Sequence, residues 1–258
     1  MQGSVFYNFL FAALVCVACA IFVSSSKVLL QDRQIFNQTL DRQRNVLVAA
    51  GLVSEDERLT SEETIDRFTP IRQVVIDIET GESTAVDPQL FDQRAAELDV
   101  ATSFAAPPNS AGINRIPFHA LVYEVLNEGD ELELVVLPVH GLGLWGFLYG
   151  FVAIDDDLET VRGLTFYEHK ETPGLGGEVD NPRWKSLWNG RKIFGVDGTP
   201  EIAVARGVVG TPVEDPWLVD GLSGATITGR GVTNLLRFWL GQEGYGPYLD
   251  RLQEREDD

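Results

Sequence analysis

Between Asp220 and Val232 the chain reads DGLSGATITGRGV. Three hydroxyl side chains, Ser223, Thr226 and Thr228, lie there among four glycines and one alanine. A plain turn needs one or two glycines. A run this poor in bulk implies either backbone that approaches another group closely or a hydroxyl open to a reagent. An amphipathic helix follows, its start predicted near Gly229, which puts Thr226 and Thr228 at or just before the first turn. Free N–H groups and the helix dipole favour an anion at such a place. Local physics equally admits a plainer reading, with threonine capping the helix and glycines making the turn.

Other chemistry-bearing residues offer less. GLGLWG, residues 141–146, matches G-x-G-x-x-G, but the following Phe147 to Ile154 reads as a strand, whereas a dinucleotide site needs a helix amino terminus there. The segment reads instead as a glycine-rich hairpin anchored by Trp145. His119, His140 and His169 are scattered and form no metal-ligand spacing. Asp155-Asp156-Asp157 follows a predicted strand and reads as a loop rather than a metal site. No G-x-S-x-G elbow is present, so hydrolase chemistry has little support. The formal net charge of -19 argues against nucleic acid as a partner.

The elements that must position these residues are readable. Val5 to Val23 is an apolar run of 19 residues broken only by Asn8. As a helix it spans about 28 Å, close to the hydrocarbon thickness of a bilayer. A retained single-span anchor is favoured over a cleaved signal peptide, because no Lys or Arg precedes the run and it is long for an h-region. Lys27, Arg33, Arg42 and Arg44 follow the span, and this charge pattern alone would leave the main domain on the cytoplasmic side. Cys16 and Cys19 lie inside the span at i, i+3, on one helix face, and read as small apolar residues. Phe36, Leu40 and Leu47 continue at helical spacing, with Gly51 as a stop. Strands are predicted at 71–78, 119–126, 132–139, 145–154, 160–167 and 202–209, with 103–117 as loop. Asn181-Pro182 starts a helix that packs through Trp184, Leu187 and Trp188. Val232, Leu235, Leu236, Trp239 and Leu240 form one buried helix face. The pattern predicts an α+β domain with a largely antiparallel sheet and flanking helices, behind one N-terminal transmembrane helix.

Asp220-x-x-Ser223-Gly224-Ala225-Thr226 matches the D-x-x-[S/T]-G-A-T pattern of proteins that carry covalent FMN. Together with HKETPGLGG from His169, GLGLWG with YGFVAID, and the tail FWLGQEGYGPYL, the chain resembles the NqrC family, flavin-bearing components of the bacterial sodium-translocating NADH:quinone oxidoreductase. The resemblance covers the anchor and most of the chain and is strongest from residue 141 onward. It implies a transmembrane anchor over 1–26, the N-terminal part of an extracytoplasmic domain over 27–140, and an FMN-binding part over 141–258. It implies FMN joined by a flavin transferase through its phosphate to Thr226. It further implies a relay of single electrons from other subunits to the flavin of the neighbouring membrane subunit and on to quinone. The chain would bind neither NADH nor quinone itself, and it would hold no complete active site and no metal. Asp220, Ser223, Gly224, Ala225 and Thr228 would surround the attachment point. Glu171, Thr172, Gly174 and Leu175 would form a second wall, with Trp145 and Leu175 against the flavin ring. The resemblance places the domain on the periplasmic side of the inner membrane, against the four positive charges, because other subunits can fix topology. Two readings stay open beside it: the equivalent flavin subunit of an Rnf-type complex, and an anchored module that grips a ligand without a covalent bond.

Overall fold

The computed structural model describes residues 2–257. They divide into two compact units between Arg42 and Gln43. A single helix, α1 (Gln2–Ala49), begins the chain. The predicted anchor helix and the helix through Leu47 are thus one element, since no proline or glycine interrupts residues 4–50. Within it Phe6–Gln31 is long and apolar enough to cross a membrane, and Cys16 and Cys19 are exposed on it. The helix stops as the sequence predicts. Gly51 takes φ +70°, its N–H reaches Val48 O, and Leu52 N–H reaches Leu47 O at 3.0 Å. That paired reversal is a Schellman cap.

The unit after Arg42 continues with α2 (Ser61–Phe68), β1 (Arg72–Asp77), α3 (Gln93–Leu98), β2 (Ser103–Ala105), β3 (Arg115–Pro117), β4 (His119–Leu126), β5 (Leu132–Leu142), β6 (Phe147–Asp155) and β7 (Val161–Glu168). After a 3-10 turn at Gly176–Asp180 come α4 (Pro182–Ser186), β8 (Ala203–Val204), β9 (Leu218–Val219), α5 (Thr226–Trp239) and α6 (Gly246–Asp257). The main sheet has the order β1-β4-β5-β6-β7, and every pairing in it is antiparallel. Both of its faces are covered. Leu121, Tyr123, Leu134, Val136 and Phe151 pack with Val46, Leu47 and Phe68 on one side. Val122, Val135, Leu137, Val139 and Val152 pack with α5, α6, Trp184 and Trp188 on the other. Double coverage explains why β4 and β5 read as nearly continuous apolar runs rather than alternating ones.

Three expectations change. Residues 103–117 are not all loop: β2 and β3 pair antiparallel, Ser103 opposite Pro117, and Arg115 Nε donates to Ser103 Oγ at 2.7 Å. The prolines hid this pair, which is only three residues long and so tolerates a proline at its end. The strand expected over 202–209 shrinks to Ala203–Val204, paired parallel to Leu218–Val219. Beyond it the chain turns back, and Gly221 N–H donates to Gly207 O at 2.8 Å. Finally, α5 starts at Thr226, not near Gly229. Gly229 lies inside the helix, where a Cβ would come 3.0 Å from Val204 Cγ1. The close approach of β8 offsets the weak helix propensity of glycine.

The acidic triplet closes the β6–β7 turn. Asp157 accepts from Thr160 N at 2.7 Å, Thr160 Oγ1 at 2.5 Å and Lys192 Nζ at 2.8 Å. Burial opposes ionisation, but Lys192 and these donors outweigh it and hold the Asp157 carboxyl down at about 2. The folded value lies below the ordinary carboxylate value, so its stabilising contribution is complete above that range and is lost as pH falls through about 2. Asp157→Asn should therefore lower the urea midpoint of the full-length protein at neutral pH, with the gap to the parent narrowing as pH falls towards ~2. A gap that stays constant contradicts this.

Candidate functional site

One carboxylate organises the site. Glu171 is only 5% exposed. Its Oε1 accepts from the backbone N–H groups of Leu144 and Trp145, both at 2.9 Å. Its Oε2 accepts from Thr228 Oγ1 at 2.5 Å. A single side chain thus joins three segments distant in sequence: the β5–β6 hairpin tip, the loop after β7, and the first turn of α5. Three directed donors are what a buried anion requires in place of water. The backbone of Glu171 is fixed as well, its N–H donating to His169 Nδ1 at 3.1 Å. Since Nδ1 accepts, the ring proton sits on Nε2, facing Asp180 Oδ2 at 2.7 Å.

The space around this carboxylate is filled to contact. A Cβ on Gly176 would lie 2.4 Å from Glu171 Oε2 and 2.6 Å from Thr228 Oγ1, and one on Gly143 would lie 2.6 Å from Glu171 Oε1. These glycines are demanded by the approach of the carboxylate rather than by a turn.

The hydroxyls of the 220–228 stretch separate clearly. Thr228 is fully buried and committed to Glu171. Thr226 and Ser223 are exposed. Thr226 is the first residue of α5; Ala225 occupies the cap position, and no side chain caps the helix. The plainer reading of threonine as a cap therefore fails: alanine has no oxygen to offer, and the first-turn N–H groups are left for another acceptor. Gly224 precedes them at φ +70°, a conformation that favours glycine.

Asp220 is turned away from the hydroxyls. Its Oδ1 accepts from Val209 N at 2.9 Å, and its carbonyl accepts from Trp184 Nε1 at 2.9 Å. Thr172 and Gly174 are exposed in the loop after Glu171, and Thr172 O accepts from Gly177 N at 2.9 Å. Leu175 is exposed and reaches over the motif, its Cδ2 3.0 Å from where a Gly224 Cβ would stand.

Trp145 corrects an expectation. GLGLWG is a hairpin, closed by Gly143 N–H to Gly146 O at 2.8 Å. Trp145 does not anchor it through its ring, which leaves the residue 64% exposed. The anchor is Glu171, acting on the backbone N–H groups of the tip.

Sequence reasoning missed two residues. Arg206 and Arg230 line, with Thr226, Gly229 and Thr233, a cavity of about 140 Å³ beside the exposed hydroxyl. Arg230 was findable, being four residues after Thr226 on the same helix face. Arg206 was not, because only the fold of the loop after β8 brings it there.

If Glu171 joins the three segments, its removal strands two N–H groups and one buried hydroxyl. Glu171→Ala should cost about 3 kcal/mol of stability, Glu171→Gln much less, and Gly176→Ala about 1–3 kcal/mol through the clash. Denaturant midpoints of the full-length protein in detergent check this. A Glu171→Ala midpoint equal to that of the parent contradicts it.

A family described as the FMN-binding domain matches residues 143–241, the span from the hairpin tip to the end of α5. The chain is 41% identical over 256 residues to the NqrC component of the Na(+)-translocating NADH-quinone reductase of Yersinia pestis, covering 98% of this chain and 95% of that protein. It is 41% identical over 260 residues to the corresponding protein of Pseudomonas aeruginosa, covering 99% and 98%. Among solved structures, Shewanella oneidensis NqrC superposes with TM-score 0.76 at 35% identity, over 83% of this chain and 97% of that one. The structure of the corresponding protein from Parabacteroides distasonis gives 0.65 at 26% identity, over 85% and 96%. The chain belongs to the NqrC family of the Na(+)-translocating NADH-quinone reductase.

Proposed function

We propose that this chain is the electron-carrying flavoprotein subunit of its reductase, with FMN joined through its phosphate to Thr226. The observation that carries the reading is the contrast between the two threonines. Thr226 Oγ1 stands exposed at an uncapped helix start, whereas Thr228 Oγ1 is buried and bonded to Glu171. A maturation enzyme of the flavin-transferase class can reach the first and not the second. In the joining step the Thr226 O–H bond breaks and an O–P bond forms. The transferase takes the proton, and at the same phosphorus the P–O bond to the second nucleotide of a flavin dinucleotide donor breaks, that nucleotide leaving with the electron pair.

The residues present fit such a group. The first-turn N–H groups of α5 favour the negative charge that a phosphodiester keeps. Gly224 and Ala225 add no bulk beside the acceptor, and exposed Ser223 is the remaining rival hydroxyl. Leu175 and Trp145 offer exposed apolar surface to a ring system, and Thr172 and Gly174 shape the loop that carries Leu175. When bound, FMN supplies reversible electron transfer, while the protein holds and orients it. The domain passes single electrons from partner subunits to the flavin of the neighbouring membrane subunit, and quinone is reduced elsewhere in the complex. The segment Phe6–Gln31 holds the chain in the inner membrane, with the domain on the periplasmic side.

The full-length chain, produced with a flavin transferase and run on a denaturing gel, should fluoresce as the parent and as Thr228→Ala. Thr226→Ala should be dark while still folding. Fluorescence that persists in Thr226→Ala overturns the assignment, and its loss in Ser223→Ala would name the acceptor instead.

A further inference from the structure

We propose that Arg206 and Arg230 form a two-guanidinium clamp for the phosphate group carried on Thr226, a proposal that rests on the reading of Thr226 as the flavin attachment residue. The cavity that both arginines share with Thr226 measures about 140 Å³. That is well below the roughly 300 Å³ at which pockets begin to enclose whole ligands. It suits an ionic group, not a ring system. No carboxylate lines it. This matters in a chain with 39 acidic and 20 basic residues, where most positive groups find a partner nearby. Arg72, Arg94, Arg162 and Arg251 each meet a carboxylate, and Arg44, Arg115, Arg191 and Arg237 donate to carbonyl or hydroxyl oxygens. Among the described residues, the side chains of Arg206 and Arg230 make no ion pair and no hydrogen bond. Two unpaired arginines lining one small cavity with Thr226 offer a site for a tetrahedral anion, which arginine grips with parallel N–H donors.

Each arginine has a distinct device that places it. Arg230 stands one helical turn beyond Thr226 on α5. Arg206 is placed by the opening residues of the motif. Asp220 Oδ1 accepts from Val209 N at 2.9 Å, Gly221 N–H donates to Gly207 O and Ala205 N–H donates to Val219 O, both at 2.8 Å. A Cβ on Gly221 would stand 2.6 Å from Ala205 O and 3.0 Å from Arg206 C. Asp220 and Gly221 thus hold the backbone of Arg206 against the motif, and they act on the phosphate only through that arginine.

The test uses the full-length protein in detergent, produced with a flavin transferase. Three forms are compared: the parent, Arg206→Ala/Arg230→Ala, and Arg206→Lys/Arg230→Lys. Both arginines are exposed and unbonded, so these variants should fold as the parent does. Two arginine Nε–H signals in the flavin-bearing parent should exchange at least about tenfold more slowly than in flavin-free Thr226→Ala. Those signals should vanish in the alanine variant, and its phosphorus resonance should shift; the lysine variant should shift it less. Equal exchange rates with and without flavin overturn the clamp while leaving Thr226 as the attachment residue. Poor flavin incorporation in the alanine variant with an unchanged phosphorus resonance also overturns it, because the arginines would then serve the transferase. A parent chain that carries no flavin mass overturns the attachment and the clamp together.

Discussion

The site depends on a buried carboxylate, Glu171, that makes no ion pair among the described residues. Glu171 is kept by three donors, two from the hairpin tip and one from α5. A buried anion held this way is costly to disturb, because each donor it loses is left unsatisfied in turn. The consequence is geometric. The tip, the loop after β7 and the helix start cannot move independently, and the exposed surface they carry keeps one shape. The sheet beneath supplies the platform: β5 and β6 pair in register up to Leu142 opposite Phe147, one residue short of the tip on either side.

That arrangement divides two similar side chains between two kinds of work. Thr226 and Thr228 are two residues apart, so on a helix they cannot face the same way. One is drawn inward to Glu171, and the other is turned out beside Arg206 and Arg230. The same division applies to Glu171 and Asp220, both of which act beneath the surface. Glu171 holds the floor, and Asp220 holds the loop that bears Arg206. What remains outward is small or apolar: Ser223, Gly224, Leu175 and Trp145.

Much of this was legible in the sequence. The strands at 119–126 and 160–167 are legible as short apolar runs, and the α5 face of Val232, Leu235, Leu236, Trp239 and Leu240 follows from helical periodicity, because burial enforces it. Asn181 and Pro182 announce α4, with Asn181 Oδ1 accepting from Arg183 N at 3.0 Å. The failures have physical causes. The helix start is misplaced because glycine at 229 looks like a boundary, whereas it is a packing contact with Val204. The β2–β3 pair is too short to show a period. Trp145 suggests an anchor by its size alone, while the anchoring is done by backbone N–H groups that carry no signature in a sequence. Glu171 and Arg206 act across 57 and 20 residues of chain respectively, and such pairings exist only once the fold does.

Everything proposed for the site rests on Thr226 as the residue that carries the flavin. The most direct measurement is the mass of the peptide containing residues 220–230, cut from the chain as purified with its native membrane complex. The expected peptide is heavier by one FMN less one water, with fragmentation placing the increment on Thr226. A peptide of unmodified mass, or an increment on Ser223 or Thr228, contradicts it.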